Sequence, residues 1–359
     1  MSPVTRFSLK KHEDFSLKNP AAVQSMLVIH QGALGDFIVA LPALRTLRKT
    51  FPKAKSVLMG YPRILELVDK RYYADEIVSV DQKGMASFFV RGGELDLGLC
   101  RFFSTFDLIV IFGKDAEGPV VANLRRVSEG YVLHINSFPP WNERVHMIDH
   151  LLRELRRYNF SVEEQDPRLF LTKADQAWGL TYCRKKGLTE EERATAMVVH
   201  PGSGSKRKTW PLERFLDLMQ RLQEDAQSRI LIVLGPAEGG EIQKAFEGIQ
   251  WDMGSKAPLL IKGLSLLGLA SMIEGCRFFL GNDSGITHMA AAVGLPTVAI
   301  FGATDPTVWS PRGKNVVVVR RDVPCAPCSQ EKFFQCQRVD CLKEIEVEDV
   351  LEGIDRLKI

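Results

Sequence analysis

The stretch RFFLGNDSGITHMAAAVGLPTVAIF, residues 277–301, decides the fold of this 359-residue chain. Arg277–Leu280 is a short apolar run of strand type. Gly281-Asn282-Asp283-Ser284-Gly285 is a turn. Gly285–Val293 is a helix carrying the small residues Ala290, Ala291 and Ala292, and Thr297–Phe301 is a second strand. A strand, a tight turn, a helix able to lie close to a sheet and a further strand form the repeating unit of a parallel α/β structure.

The same alternation extends in both directions. On the N-terminal side, strands are expected at Met26–His30, Ser56–Gly60, Glu76–Val80, Phe106–Phe112 and Tyr131–Ile135. Helices are expected at Gly35–Thr50, Arg63–Val68 and Val145–Tyr158. The polar stretch Ser161–Lys173, with Pro167, marks a boundary. A second series follows, with strands at Ala196–His200, Arg229–Leu234, Pro258–Ile261 and Val316–Val319 and helices at Leu212–Gln223 and Leu266–Glu274. Val347–Leu357 reads as a last helix. The expectation is an α/β chain of two successive units, 1–170 and 171–345, followed by a tail at 346–359. Open α/β sheets bind ligands at the carboxyl ends of their strands, and two such units facing one another would form a cleft.

Bulk composition excludes several classes. Hydrophobic residues make up 45% and charged residues 25%, as in ordinary soluble enzymes. The net charge of +3 is too small to indicate nucleic acid as a partner. No apolar run approaches the roughly 18 residues needed to span a bilayer. Met1–Gln24 is polar, holds Lys10, Lys11 and Lys18, and lacks an apolar signal core. These features lead to the expectation of a cytoplasmic protein.

Three loops carry the chemistry. His30-Gln31-Gly32-Ala33-Leu34-Gly35-Asp36 follows a strand and opens a helix, which suits an anion or a rim carboxylate. Asp36 reads either as a catalytic base or as a helix cap. Its glycine spacing does not match the dinucleotide fingerprint. His200-Pro-Gly-Ser203-Gly-Ser-Lys206-Arg207-Lys208-Thr-Trp-Pro211 joins small residues to three cations. It reads as a phosphate-binding loop or as a solvated basic turn. In Gly281–His288, the amides of Ser284, Gly285 and Ile286 and the helix dipole favour an anion, with His288 within reach. Asp283 repels phosphate and suits a cap or a sugar hydroxyl.

Two weaker loops follow further strands. Glu238 reads as a ribose acceptor or as a first-turn helix glutamate. Lys262-Gly263-Leu264-Ser265 reads as a base-pocket edge or as an N-cap.

Four of the seven cysteines crowd into Cys325-x2-Cys328-x7-Cys336-x4-Cys341. One close pair among four cysteines permits a structural Zn or Fe site, reduced packed thiols or disulfides. A cytoplasmic setting disfavours the last.

In order, these motifs resemble the heptosyltransferase family of lipopolysaccharide synthesis, glycosyltransferase family 9. The matching segments are QGALGDFIVALPAL (31–44), His200-Pro-Gly-Ser203, Lys208-Thr-Trp-Pro211, Gly281–His288, Gly294–Pro306, Cys325-Ala-Pro-Cys328 and Cys341–Ile345.

The resemblance implies a GT-B fold, with two Rossmann-like domains facing across a cleft. It implies an N-terminal acceptor domain (1–170), a C-terminal nucleotide-sugar domain (171–345) and a final helix returning to the first domain. It implies an inverting, metal-independent transfer from ADP-heptose to the Kdo-containing inner core. Asp36 matches the presumed base and Lys208 the phosphate-binding lysine. Asp283, Ser284, Gly285 and His288 match the donor turn, with Ser203 and Glu238 as further donor contacts. Glu238 matches less closely, because Gly239 and Gly240 stand where acidic residues are frequent. The anionic acceptor draws attention to Gly35, Arg63 and Arg101, and to Arg45, Arg48, Lys49 and Arg91. Anionic lipid would make the protein peripheral to the inner membrane.

Three other readings compete. One is a sugar-nucleotide epimerase of the same fold, another a transferase that uses another nucleotide sugar or a protein acceptor, and the third a nucleotide-sugar-binding protein without activity.

Overall fold

The computed structural model describes residues 20–114, 117–140, 142–223, 228–235, 240–247 and 257–359. The chain divides into two compact units. One comprises residues up to Ala33 with Ala40–Gln165, and the other Leu34–Val39 with Asp166–Ile359.

The first unit is built on a five-stranded sheet. Its strands are β1 (Ser25–Ile29), β2 (Lys55–Gly60), β3 (Glu76–Ser79), β4 (Leu108–Gly113) and β5 (Tyr131–Asn136). Their order is β3-β2-β1-β4-β5 and every pairing is parallel. Central strands of parallel sheets are covered on both faces. Met26, Leu27, Val28 and Ile29 are accordingly no more than 1% exposed. On one face, Leu27, Ile29, Ile109 and Ile111 meet Phe88, Phe103 and Phe106.

Arg45, Arg48 and Lys49, weighed above as contacts for an anionic acceptor, are engaged inside this unit. Arg45 pairs with Glu164, Arg48 with Asp75, and Lys49 with Glu163 and Glu164. The charges that the sequence leaves open are answered by acidic residues distant in the chain.

The second unit holds a six-stranded parallel sheet. Its strands are β6 (Met197–His200), β7 (Ile230–Leu234), β8 (Leu259–Lys262), β9 (Phe278–Asn282), β10 (Thr297–Ile300) and β11 (Val316–Val319). The order is β11-β10-β9-β6-β7-β8. Successive crossovers run outward from β6 on one side and from β9 on the other. The two central strands are therefore the topological switch point, where open α/β sheets take ligands. His200 pairs with Gly281, so the loops leaving β6 and β9 begin side by side.

The helix Gly285–Ala292 buries every residue from Thr287 onward. Lys173–Lys185 and Glu190–Thr195 are helices absent from the sequence reading. The C-terminal helix, expected to return to the first unit, belongs instead to the second. Val347, Val350 and Ile354 join the core formed by Trp210, Phe215, Val298 and Val319. Its apolar stripe is complementary to β10 and β11, the last strands laid down before it.

Candidate functional site

Asn282, fully buried at the end of β9, organises the switch point. Its Nδ2 donates to the carbonyls of Pro201 (2.8 Å) and Gly202 (3.2 Å), and its Oδ1 accepts from the Trp210 amide at 3.0 Å. One amide side chain thus satisfies both ends of the basic loop. Leaving such buried polar groups unpaired would cost about 1–3 kcal/mol each. Ser203 Oγ donates to the Asp283 carbonyl at 3.0 Å, tying the same loop to the following turn.

The turn then feeds the helix. Ser284 is the N-cap, its Oγ accepting from the Thr287 amide at 3.3 Å, while Thr287 Oγ1 donates to the Asn282 carbonyl at 2.5 Å. These bonds fix the helix start, where the first amides have no partner within the helix and the dipole is positive. Lys208 Nζ lies 2.8 Å from the Asp283 carboxylate; the lysine side chain is 30% exposed and the aspartate 8%. The three cations of the loop therefore have three different surroundings. Lys206 is exposed, Lys208 faces Asp283, and Arg207 donates to the carbonyls of Cys336 and Phe334, each at 2.8 Å.

Leu34–Val39 is compact with this unit for a steric reason. A Cβ on Gly285 would lie 2.8 Å from Leu34 Cβ and 2.9 Å from the Gly35 nitrogen. A Cβ on Gly35 would lie 3.7 Å from Gly285 Cα and 3.9 Å from His288 Cδ2. Gly285 is required because chain passes directly over it. Asp36, in the first turn of the helix Leu34–Thr50, directly follows a residue packed on Gly285 and His288.

The structure thus brings Ser203, Lys208, Asp283, Ser284, Gly285 and His288 together, with Gly35 and Asp36 adjoining. Arg63 and Arg101 are exposed on separate helices of the first unit, Pro62–Leu65 and Leu97–Ser104. Glu238 lies outside the described residues. Ser265 caps the helix Leu266–Ile273, its Oγ accepting from the Gly268 amide at 3.1 Å. His200 is buried, and its Nδ1–H donates to the Val233 carbonyl at 3.0 Å, a structural role. The roles of Asn282 and Arg207 are missing from the sequence reading. An Asn closing an otherwise apolar strand was the available signal for the first, since Asn is depleted in strands.

Cys325, Cys328, Cys336 and Cys341 are free thiols lining one cavity of about 940 Å³, together with Arg321 and Arg338. Burial first, and the neighbouring thiols second, push the Cys341 thiol up to about 11; the same causes raise Cys328. Among the described residues, no three His, Cys, Asp or Glu side chains gather as a metal ion requires. The four thiols share this cavity as a soft donor set would.

Two doubly wound units with parallel sheets, and a turn and basic loop meeting at the switch point of the second, give the architecture of the GT-B type. The chain belongs to glycosyltransferase family 9 (heptosyltransferase), whose model matches residues 134–336, more than half of the chain. It is 23% identical over 335 residues to lipooligosaccharide heptosyltransferase 2 of Campylobacter jejuni subsp. jejuni serotype O:2, covering 90% of this chain and 95% of that protein. The crystal structure of a family 9 glycosyl transferase from Veillonella parvula superposes with a TM-score of 0.74 at 18% identity, covering 92% of this chain and 96% of that one. The E. coli ADP-heptose lps heptosyltransferase II superposes with a TM-score of 0.69 at 17% identity, over 92% and 97% of the two chains.

Proposed function

We propose that this glycosyltransferase moves a heptose from ADP-heptose to the anionic inner core of lipopolysaccharide, with inversion at the anomeric carbon and without a metal in the transfer step. The observation that carries the reading is the convergence of Lys208, the Asp283–Gly285 turn and the helix Gly285–Ala292 at the switch point. The names of the relatives from C. jejuni and E. coli support the sugar and the acceptor class, and the E. coli name supports the nucleotide.

In this reading the donor diphosphate lies against the start of the helix. Lys208 and the amides of Ser284 and Gly285 face the leaving oxygen, where negative charge develops as the glycosidic bond breaks. Asp36 accepts the proton of the acceptor hydroxyl as it attacks the opposite face of the anomeric carbon. Ser203 and His288 flank the donor. Asp283 holds Lys208 and the turn, and leaves the phosphates to cationic and neutral donors. The four cysteines take no part in the transfer step.

Calorimetric titration of purified protein with ADP-heptose, UDP-sugars and GDP-sugars tests the donor. Saturable binding confined to ADP-heptose is expected; preference for a uridine or guanosine donor would replace the proposed nucleotide.

We further propose peripheral contact with anionic lipid through the first unit, where Arg63, Arg91 and Arg101 are exposed and Phe89, Val90 and Leu97 stand out of the surface. Among the described residues, no helix is long and apolar enough to cross a membrane. Flotation with phosphatidylglycerol vesicles at low salt is the check. Protein left at the bottom of the gradient removes this contact.

A further inference from the structure

We infer that Arg207 is a positioning residue for Lys208, and that the cysteine-bearing segment is the platform it works from. This rests on the reading of Lys208 as the donor phosphate contact.

The guanidinium of Arg207 reaches across 127 and 129 residues of sequence to the carbonyls of Phe334 and Cys336. Two nitrogens of a planar fork bound to two carbonyls fix direction as well as distance. The group is half-buried and already occupied, so its charge serves the fold of the loop and not a ligand. Two residues beyond Lys208, Trp210 is pinned by its amide to Asn282 and by Nε1 to the Ile345 carbonyl at 2.9 Å. Arg214 donates to the same carbonyl. Lys208 therefore sits between two anchors, and both reach segment 334–345.

The cysteine-bearing stretch 325–345 is itself tied to the ligand end of the sheet. The Cys328 amide donates to the Ala303 carbonyl, just after β10, at 2.8 Å. Gly302 lies so close to the segment that a Cβ there would come within 2.5 Å of Leu342 and 3.1 Å of Cys341 Sγ. The cysteine-bearing lobe is thus an outrigger of the donor site. It holds a long, rotamer-rich lysine on one heading, which limits the ordering cost when a diphosphate binds.

The test is a double-mutant cycle read by ADP calorimetry and by donor KM and kcat. Arg207→Ala is expected to weaken ADP binding about tenfold, raise donor KM and lower kcat, because Lys208 faces the leaving oxygen in the transition state as well as the bound diphosphate. Arg207→Lys, whose ammonium lacks the fork, should fall between that variant and the parent. In a Lys208→Ala background, Arg207→Ala should add almost nothing, because the group it positions is gone. Equal losses in both backgrounds, or unchanged ADP affinity in Arg207→Ala, overturn the inference. If Arg207→Ala does not fold, Arg207→Lys alone and combined with Lys208→Ala gives the same cycle. A flat Lys208→Ala result would instead remove the phosphate reading beneath it, an outcome visible in that single variant.

Discussion

Lys208 lies 2.8 Å from the Asp283 carboxylate, and in the proposed mechanism an arriving diphosphate competes for it. Lys208→Ala is expected to weaken ADP binding by about 1.5–3 kcal/mol, the worth of a charged hydrogen bond; calorimetry reads the loss directly. Asp36→Ala should leave ADP binding near the parent value and abolish transfer. Near-normal turnover would remove Asp36 from the mechanism. The thiols supply a pH-dependent check. Burial raises Cys276 to about 12 and Cys341 to about 11, so both stay protonated well above the ordinary thiol value. The thiolate is the reactive form. Alkylation followed by mass spectrometry should label Cys341 and Cys276 only as pH climbs toward their raised values. At this scale, the turn and its basic loop were legible because glycines, a helix start and clustered cations speak locally. The partners of Asn282 and Arg207 were not, since they lie 72 to 129 residues away.

Strands were legible wherever a short apolar run met a glycine-containing turn, and all six strands of the second sheet fall within a residue or two of their expected limits. Helices were harder to see. Lys173–Lys185 begins with a capping box between Thr172 and Asp175, and Glu190–Thr195 with one between Thr189 and Glu192. Those caps were the signals to follow, because neither segment displays a clean apolar stripe. The start of the helix Gly285–Ala292 also sets a tolerance. Gly285→Ala would drive a methyl group into Leu34 and the Gly35 amide. Overpacking of this kind costs about 1–3 kcal/mol, so a lower thermal midpoint is expected together with a loss of transfer. A variant matching the parent in both measurements would show that the two segments can separate without consequence.

Each unit buries a hydrophobic cluster of its own against its sheet, and each sheet places its switch-point strands at the centre. That much follows from the order in which strands appear, because crossovers are right-handed and short. The ownership of the last helix does not follow, since an amphipathic segment at a chain end can cover either sheet. Here it covers the second: a Cβ on Gly353 would lie 2.6 Å from Val319 Cγ2 and 3.6 Å from Val298 Cγ1. Beneath it, Val316–Val319 is an edge strand of four consecutive valines. Bare strands of that composition recruit one another. The helix Val347–Asp355 therefore shields the apolar face of that edge strand, and its removal should favour self-association. A version ending at residue 345 should accumulate in the insoluble fraction of an expression test, although none of the residues assigned to transfer would have been removed.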